Sequence, residues 1–194
     1  MKIGICGGTF DPFHRGHLDP VLAARETMQW DRIIYVVAYR QPFKEKGISA
    51  SGYHRFAMAV LATESFDDIS ISSWELERAG ISYSVDTLEH LRSIHPDAML
   101  DWIIGDDNVA RLGEWHRIDR IRELANFVVL TRDRVAPAIL PAASGQILYA
   151  QNATVPISST EIRERVRAGE SIDGLVDPRV SRYIQHNRLY QETS

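Results

Sequence analysis

The chain has 194 residues, 44% of them hydrophobic and 25% charged, the balance of a globular protein with a core of its own. Against 26 acidic side chains stand 22 basic ones, and a formal net charge of −4 argues against broad binding to nucleic acid. One cysteine excludes an intrachain disulfide framework, no apolar run reaches bilayer length and no leader precedes the first strand, so a cytoplasmic protein without membrane contact is expected.

In chain order, Lys2-Ile3-Gly4-Ile5-Cys6 predicts a buried strand, and Leu18, Val21, Leu22 and Met28 then recur at helical spacing. Between them lies Gly7-Gly8-Thr9-Phe10-Asp11-Pro12-Phe13-His14-Arg15-Gly16-His17. Glycines at a strand end let backbone N–H groups approach an anion, and the helix that follows aims its positive dipole end the same way. His14 and His17, three residues apart around Gly16, can face that anion together. The same pair could ligate zinc only with at least one further nitrogen, sulfur or carboxylate ligand. Cys6 sits inside the strand, so an anion site is favoured and no metal site is expected. Neither a G-x-G-x-x-G fingerprint nor a G-x-x-x-x-G-K-[ST] loop is present.

Further strands are predicted at residues 33–38, 69–71, 100–104, 127–130 and 147–149, with helices at 55–62 and 85–94. Strands alternating with helices imply an α/β fold, an open parallel sheet covered on both faces. Ser158 with Glu161 matches a capping box that opens a helix stopping at Gly169, and Asp177-Pro178 opens a last one. One domain over residues 1–194 is expected, with residues 157–194 as its helical C-terminal part. Residues 40–52 and 132–145 read as loops, the first of them basic through Arg40, Lys44 and Lys46.

Four other places can carry chemistry. Ile157-Ser158-Ser159-Thr160-Glu161-Ile162-Arg163 puts exposed amides and an arginine at a helix start, suited to phosphate or to plain capping. Ile103-Ile104-Gly105-Asp106-Asp107-Asn108 puts acids after a strand, where one could accept ribose hydroxyls or cap the next helix. Ser82-Tyr83-Ser84 precedes a helix, and Trp115 with His116 follows another. Aromatic faces of this kind stack on planar heterocycles or simply fill a core.

Residues 7–17 resemble the G-G-x-F-D-P-x-H-x-G-H signature of the nucleotidylyltransferases, and residues 157–163 resemble the I-S-S-T-x-I-R element that this family uses with it around the triphosphate of ATP. Within the family, Trp74-Glu75-Leu76-Glu77-Arg78 and the stretch from Ser82 to Leu88 look like the bacterial nicotinate-nucleotide adenylyltransferases, a likeness running from Lys2 to about Tyr190. It implies a Rossmann-like sheet and adenylyl transfer from ATP, accompanied by Mg²⁺, to nicotinate mononucleotide, giving nicotinate adenine dinucleotide and pyrophosphate in NAD biosynthesis. His14, His17 and Arg163 would be catalytic. ATP would meet Gly7, Gly8, Thr9, Phe10, His14, His17, Gly105, Asp107, Ile157, Ser158, Ser159 and Arg163. The mononucleotide would meet Thr9, Phe10, Lys44, Tyr83, Ser84, Trp115 and Arg132. A homo-oligomer is compatible with the sequence.

Three positions depart from the relatives' pattern. Gln41-Pro42-Phe43-Lys44 stands where many carry P-P-H-K, Ser84 replaces a threonine, and Asp133 follows Arg132 where proline is common. Pantetheine-phosphate adenylyltransferase shares the first loop and the serine-rich helix start but lacks the S-Y-T and tryptophan pattern. Class I aminoacyl-tRNA synthetases share H-x-G-H, but this chain is too short for an anticodon-binding domain and has no K-M-S-K-S-like loop. A non-catalytic nucleotide sensor on the same fold is the alternative outside enzymes.

Overall fold

Six apolar runs become six parallel strands in the computed structural model, which describes residues 1–42, 49–130, 146–150 and 155–191. The strands are β1 (Lys2–Gly8), β2 (Arg32–Val37), β3 (Ile69–Ser72), β4 (Met99–Gly105), β5 (Asn126–Leu130) and β6 (Ile147–Ala150). Their order across the sheet is β3-β2-β1-β4-β5-β6, and every neighbouring pair is parallel. The sheet is therefore Rossmann-like, as the alternation of strands and helices predicts.

Side chains alternate across the sheet with a period of two. In β2, Ile33, Tyr35 and Val37 enter one apolar layer while Ile34 and Val36 enter the other. The first layer is covered by α1 (Arg15–Met28), α2 (Gly52–Thr63), α6 (Ser159–Arg167) and α7 (Pro178–His186), through residues such as Val21, Met58, Ile162 and Val180. The second is covered by α4 (Ser84–Ile94) and α5 (Ile118–Leu124), through Val85, Leu88, Leu91 and Ile121. Burial on both faces is why these strands read as continuous apolar runs, each large side chain contributing about 1.5–3 kcal/mol.

Local signals place the helix starts. The Ser158 hydroxyl accepts the Glu161 N–H at 3.1 Å, and the Asp177 carboxylate accepts the Arg179 N–H at 2.8 Å with Pro178 in the first turn. Two elements differ from the sequence pattern. The five-residue α3 (Trp74–Arg78) and the seven-residue α5 are too short and too charged to show a resolvable period. The segment Asp106–Glu114 is a 3₁₀ helix. Its opening residues favour local side-chain bonds, as in the 3.0 Å contact from Asn108 Nδ2 to Asp107 Oδ1. Among the described residues no helix is long and apolar enough to cross a membrane.

Away from the ligand end, Asp101 is wholly buried in β4 and holds the sheet's base. It accepts from Trp30 Nε1 at 2.8 Å and Asn126 Nδ2 at 3.0 Å, and it pairs with Lys2 Nζ at 3.1 Å. Asp101→Ala should destabilise the protein by about 3 kcal/mol, because it leaves a buried indole N–H without its acceptor and the Lys2 ammonium without its counter-ion. Urea unfolding measures this, and a loss below about 1 kcal/mol would show that water replaces the carboxylate at little cost.

Candidate active site

In an open parallel sheet the strand order reverses between the first strand and the fourth, and the two loops that leave there diverge and open a crevice. Here a cleft of about 1360 Å³ lies at that point, lined by the ends of β1 and β4 and by residues before α4 and α6. It exceeds the roughly 300–1,000 Å³ that one small ligand fills, and so has room for two nucleotides.

One end is built by the loop from β1 into α1. Gly8 is needed there because a Cβ would lie 2.6 Å from the Phe10 ring, which folds back under the strand. The glycine thus serves ring packing as well as access for an anion. Phe10, at φ 52°, packs against Phe13, Tyr35 and His17 with ring centroids 5.0–5.8 Å away. Its side chain is core, so only its backbone is offered to the cleft. Gly16 admits the close approach of α6's entry, since a Cβ would meet the Ile157 carbonyl at 3.2 Å and the His14 ring at 3.0 Å.

The two histidines stack, centroids 3.7 Å apart. The His14 backbone N–H donates to His17 Nδ1 at 3.3 Å, so neutral His17 carries its proton on Nε2. Reciprocal capping by the His14 ring is loose, because the His17 amide is committed to the His14 carbonyl at 2.8 Å. His14 Nδ1 is therefore buried without a well-formed hydrogen bond. Burial lowers the His14 pKa to about 4, so the ring is neutral at pH 7. Thr9 Oγ1 and Arg163 Nε are likewise buried and unpartnered, and all three belong to residues lining this cleft.

Arg163 is aimed by its other nitrogens, Nη1 donating to the Asp11 carbonyl at 2.8 Å and Nη2 to Thr160 Oγ1 at 3.2 Å. Ser159 Oγ donates to the Pro12 carbonyl at 3.2 Å, fixing α6 against the first loop. The buried Asp11 carboxylate accepts from Ser49 N–H at 2.7 Å, Ala50 N–H at 3.1 Å and the Tyr190 hydroxyl at 2.8 Å. Arg55, also fully buried, donates to the carbonyls of Thr9 and Ala50. Burial lowers its pKa, and the nearby Asp11 charge opposes that shift.

The other end holds Tyr83, Ser84, Trp115 and His116. Tyr83 starts α4 without a side-chain cap, which leaves first-turn amides for a ligand. Its ring lies 4.4 Å from that of His116, and Trp115 meets Phe127 edge-on at 5.9 Å, so part of the indole is committed to packing. Glu75 is buried behind this end. Cys6 also lines the cleft, but burial pushes its thiol up to about 12 and it holds no thiolate at neutral pH.

Of the residues singled out in the sequence, Gly7, Gly8, Thr9, Phe10, His14, His17, Tyr83, Ser84, Gly105, Asp107, Trp115, Ile157, Ser158, Ser159 and Arg163 line this one cleft. Lys44 and Arg132 lie outside the described residues. Sequence reasoning missed Asp11, Arg55, Tyr190 and Glu75 as builders of the site. Asp11 and Glu75 stood inside recognised motifs, which was the available signal; Arg55 stood only at the start of a predicted helix, and nothing marked Tyr190.

Fold and cleft define a nucleotide-binding α/β protein whose loops are set to receive a polyanion. The family model described as cytidylyltransferase-like matches residues 5–165. The probable nicotinate-nucleotide adenylyltransferase of Gemmatimonas aurantiaca is 39% identical over 198 residues, covering 99% of this chain and 93% of that protein. The one from Chlorobaculum parvum is 37% identical, covering 98% and 100%. The nicotinic acid mononucleotide adenylyltransferase of Plasmodium falciparum, solved in complex with NaAD, superposes with a TM-score of 0.72 at 18% identity over 97% of each chain. The chain belongs to the cytidylyltransferase-like family and, within it, to the nicotinate-nucleotide adenylyltransferases.

The buried His14 gives a pH test. Its pKa is lower in the folded chain than the ordinary 6.5. The unfolded chain therefore binds the extra proton between about pH 6.5 and 4, and stability falls as pH drops through that window. Wild type should lose about 2–3 kcal/mol more than His14→Gln between pH 7 and pH 4.5 in urea unfolding. Parallel losses in the two proteins would mean that His14 titrates normally.

Proposed function

We propose that this chain transfers the adenylyl group of ATP to nicotinate mononucleotide, releasing pyrophosphate and forming nicotinate adenine dinucleotide. The observation that carries this proposal is the convergence of the unpartnered Thr9 Oγ1, His14 Nδ1 and Arg163 Nε on one cleft, at the sheet end where nucleotides bind. Buried polar groups without partners are expected where a ligand supplies them. The kinship with nicotinate-nucleotide adenylyltransferases over nearly the whole chain supports the choice of substrates. The cytoplasm is the proposed compartment, in keeping with the single cysteine.

The acceptor's phosphate is anionic at neutral pH and attacks the α-phosphorus in line, breaking the bond to the pyrophosphate. No protein nucleophile is required. The protein's task is to hold two polyanions in register and to stabilise the charge that grows on the transferring and leaving groups. His17 Nε2–H and the Arg163 guanidinium are the donors for that charge. His14, neutral before ATP arrives, can gain a proton beside the triphosphate. Nucleotidyltransferases use a divalent metal with ATP, and Mg²⁺ is the ion proposed here, held mainly by phosphate oxygens and water. In this reading Asp107 accepts ribose hydroxyls, and the ring of Trp115 with the α4 amides takes the acceptor's pyridine carboxylate; the roles of Lys44 and Arg132 toward the mononucleotide rest on the family resemblance alone.

Pyrophosphate release with ATP and Mg²⁺, offered nicotinate mononucleotide, nicotinamide mononucleotide and phosphopantetheine, should favour the first. Preference for another acceptor, or ATP binding with no release at all, would refute the assignment. His17→Ala should lower kcat by about 100-fold or more, a loss far larger than its effect on stability, and equal loss of both would refute its catalytic role. Trp115→Ala should raise KM for the mononucleotide and leave that for ATP nearly unchanged, whereas equal effects on both would count against ring stacking.

A further inference from the structure

Behind the acceptor end, one buried carboxyl ties α3 to α4 and to the stretch before it, alongside the Arg78–Asp86 ion pair and the stacked rings of Trp74 and His90. Glu75 is 5% exposed, on the short α3. It accepts from the Thr87 hydroxyl on α4 and from the Ser82 hydroxyl. The Ser82 oxygen in turn accepts the Tyr39 N–H at 3.0 Å, and the Ser82 N–H donates to the Arg40 carbonyl at 2.9 Å. Thr87 N–H and Asp86 N–H both return to the Tyr83 carbonyl, at 3.4 and 3.1 Å. The stretch that precedes α4 is thus held from below by Glu75 and from the side by the loop after β2.

Among the described residues Glu75 takes no close ion pair of its own. Arg78 on the same helix is drawn to Asp86 at 2.7 Å. Burial raises the Glu75 pKa, while the hydroxyls of Ser82 and Thr87, then Arg78, pull it back. A buried carboxyl in a cleft that receives anions is an unfavourable choice unless its geometry is used. As an acceptor of two hydroxyl protons it turns both hydroxyls inward, leaving the Ser84 hydroxyl and the uncapped first turn of α4 as the donors that face the acceptor.

We infer that Glu75 is the positioning residue for acceptor recognition, orienting Ser82 and Thr87 so that the Tyr83–Ser84 corner presents its donors to an aromatic carboxylate. This rests on the proposed function only for the identity of the acceptor. A glutamine of the same shape has one acceptor oxygen in place of two and no charge, so it holds the two hydroxyls less firmly.

The test is equilibrium binding by calorimetry, run separately with nicotinate mononucleotide and with ATP. Glu75→Gln should weaken nicotinate mononucleotide about tenfold and ATP less than twofold, and should narrow the preference over nicotinamide mononucleotide by a similar factor. Ser82→Ala, which keeps the carboxylate and perturbs packing less, should shift binding in the same direction. The double variant should be little worse than Glu75→Gln alone, because one residue acts through the other. Equal losses for both ligands, additive effects in the double variant, or unchanged nicotinate mononucleotide binding in either single variant would overturn the inference. Selective weakening in a protein that binds but releases no pyrophosphate would uphold Glu75's role while refuting the catalytic assignment. Failure of wild type to bind nicotinate mononucleotide would refute both.

Discussion

Everything at the end of the cleft that carries His14, His17 and Arg163 hangs on the Asp11 carboxylate. It is 3% exposed and accepts hydrogen bonds from two amides that precede α2 and from the hydroxyl of Tyr190, near the end of the described chain. Its own carbonyl receives Arg163. Desolvating a carboxylate costs several kcal/mol, and that cost is offset only while every donor stays in place. Four separate segments are therefore held to one point, and the loop that carries His14 and His17 cannot relax without exposing a buried charge. Arg55 completes the arrangement from beneath. It neutralises the region at short range while directing its N–H groups to the carbonyls of Thr9 and Ala50.

Such bracing matters because the chemistry proposed here consists of positioning. A transferring phosphoryl group needs donors aimed where charge will appear, and donors that must first reorient lose part of their effect. The stacked histidines illustrate the point. The His14 backbone fixes the His17 tautomer, and Phe10 and Phe13 pack against the His17 ring with Tyr35 behind them. Keeping His14 uncharged before ligand arrives also avoids burying an unpaired imidazolium 3.7 Å from the neighbouring ring. The site is polar but restrained until a polyanion enters.

The sheet was legible in the sequence because both its faces are buried. Each strand appears as an apolar run, and helical periods between the runs imply parallel pairing. Helices with a capping signal, such as those opened by Ser158 and Asp177, were legible for the same local reason. What escaped was whatever depends on partners far apart in the chain. Asp11 finds its partners 38, 39 and 179 residues away, and no single sequence announces such pairings. Arg55 is the one charged side chain on α2, a helix otherwise mostly apolar, and its burial is a tertiary fact. Of the candidate site, the residues carried by contiguous motifs were found, while the residues that hold those motifs in place were not.

The two ends of the cleft are built from different parts of the fold, and this has a consequence for how the protein can vary. The donors proposed for the triphosphate come from α1 and α6, locked together through Asp11, Pro12 and Arg163. Those proposed for the acceptor come from the start of α4, held through Glu75 and Ser82 to the loop after β2. No hydrogen bond described above links Glu75's cluster to Asp11's. Energetic coupling between residues without shared partners is small, so a change such as threonine to Ser84 can retune the acceptor end without loosening the histidines. Substitutions at Asp11, Arg55 or Tyr190 have no such freedom, since each removes a partner from a buried network whose other members stay buried and polar.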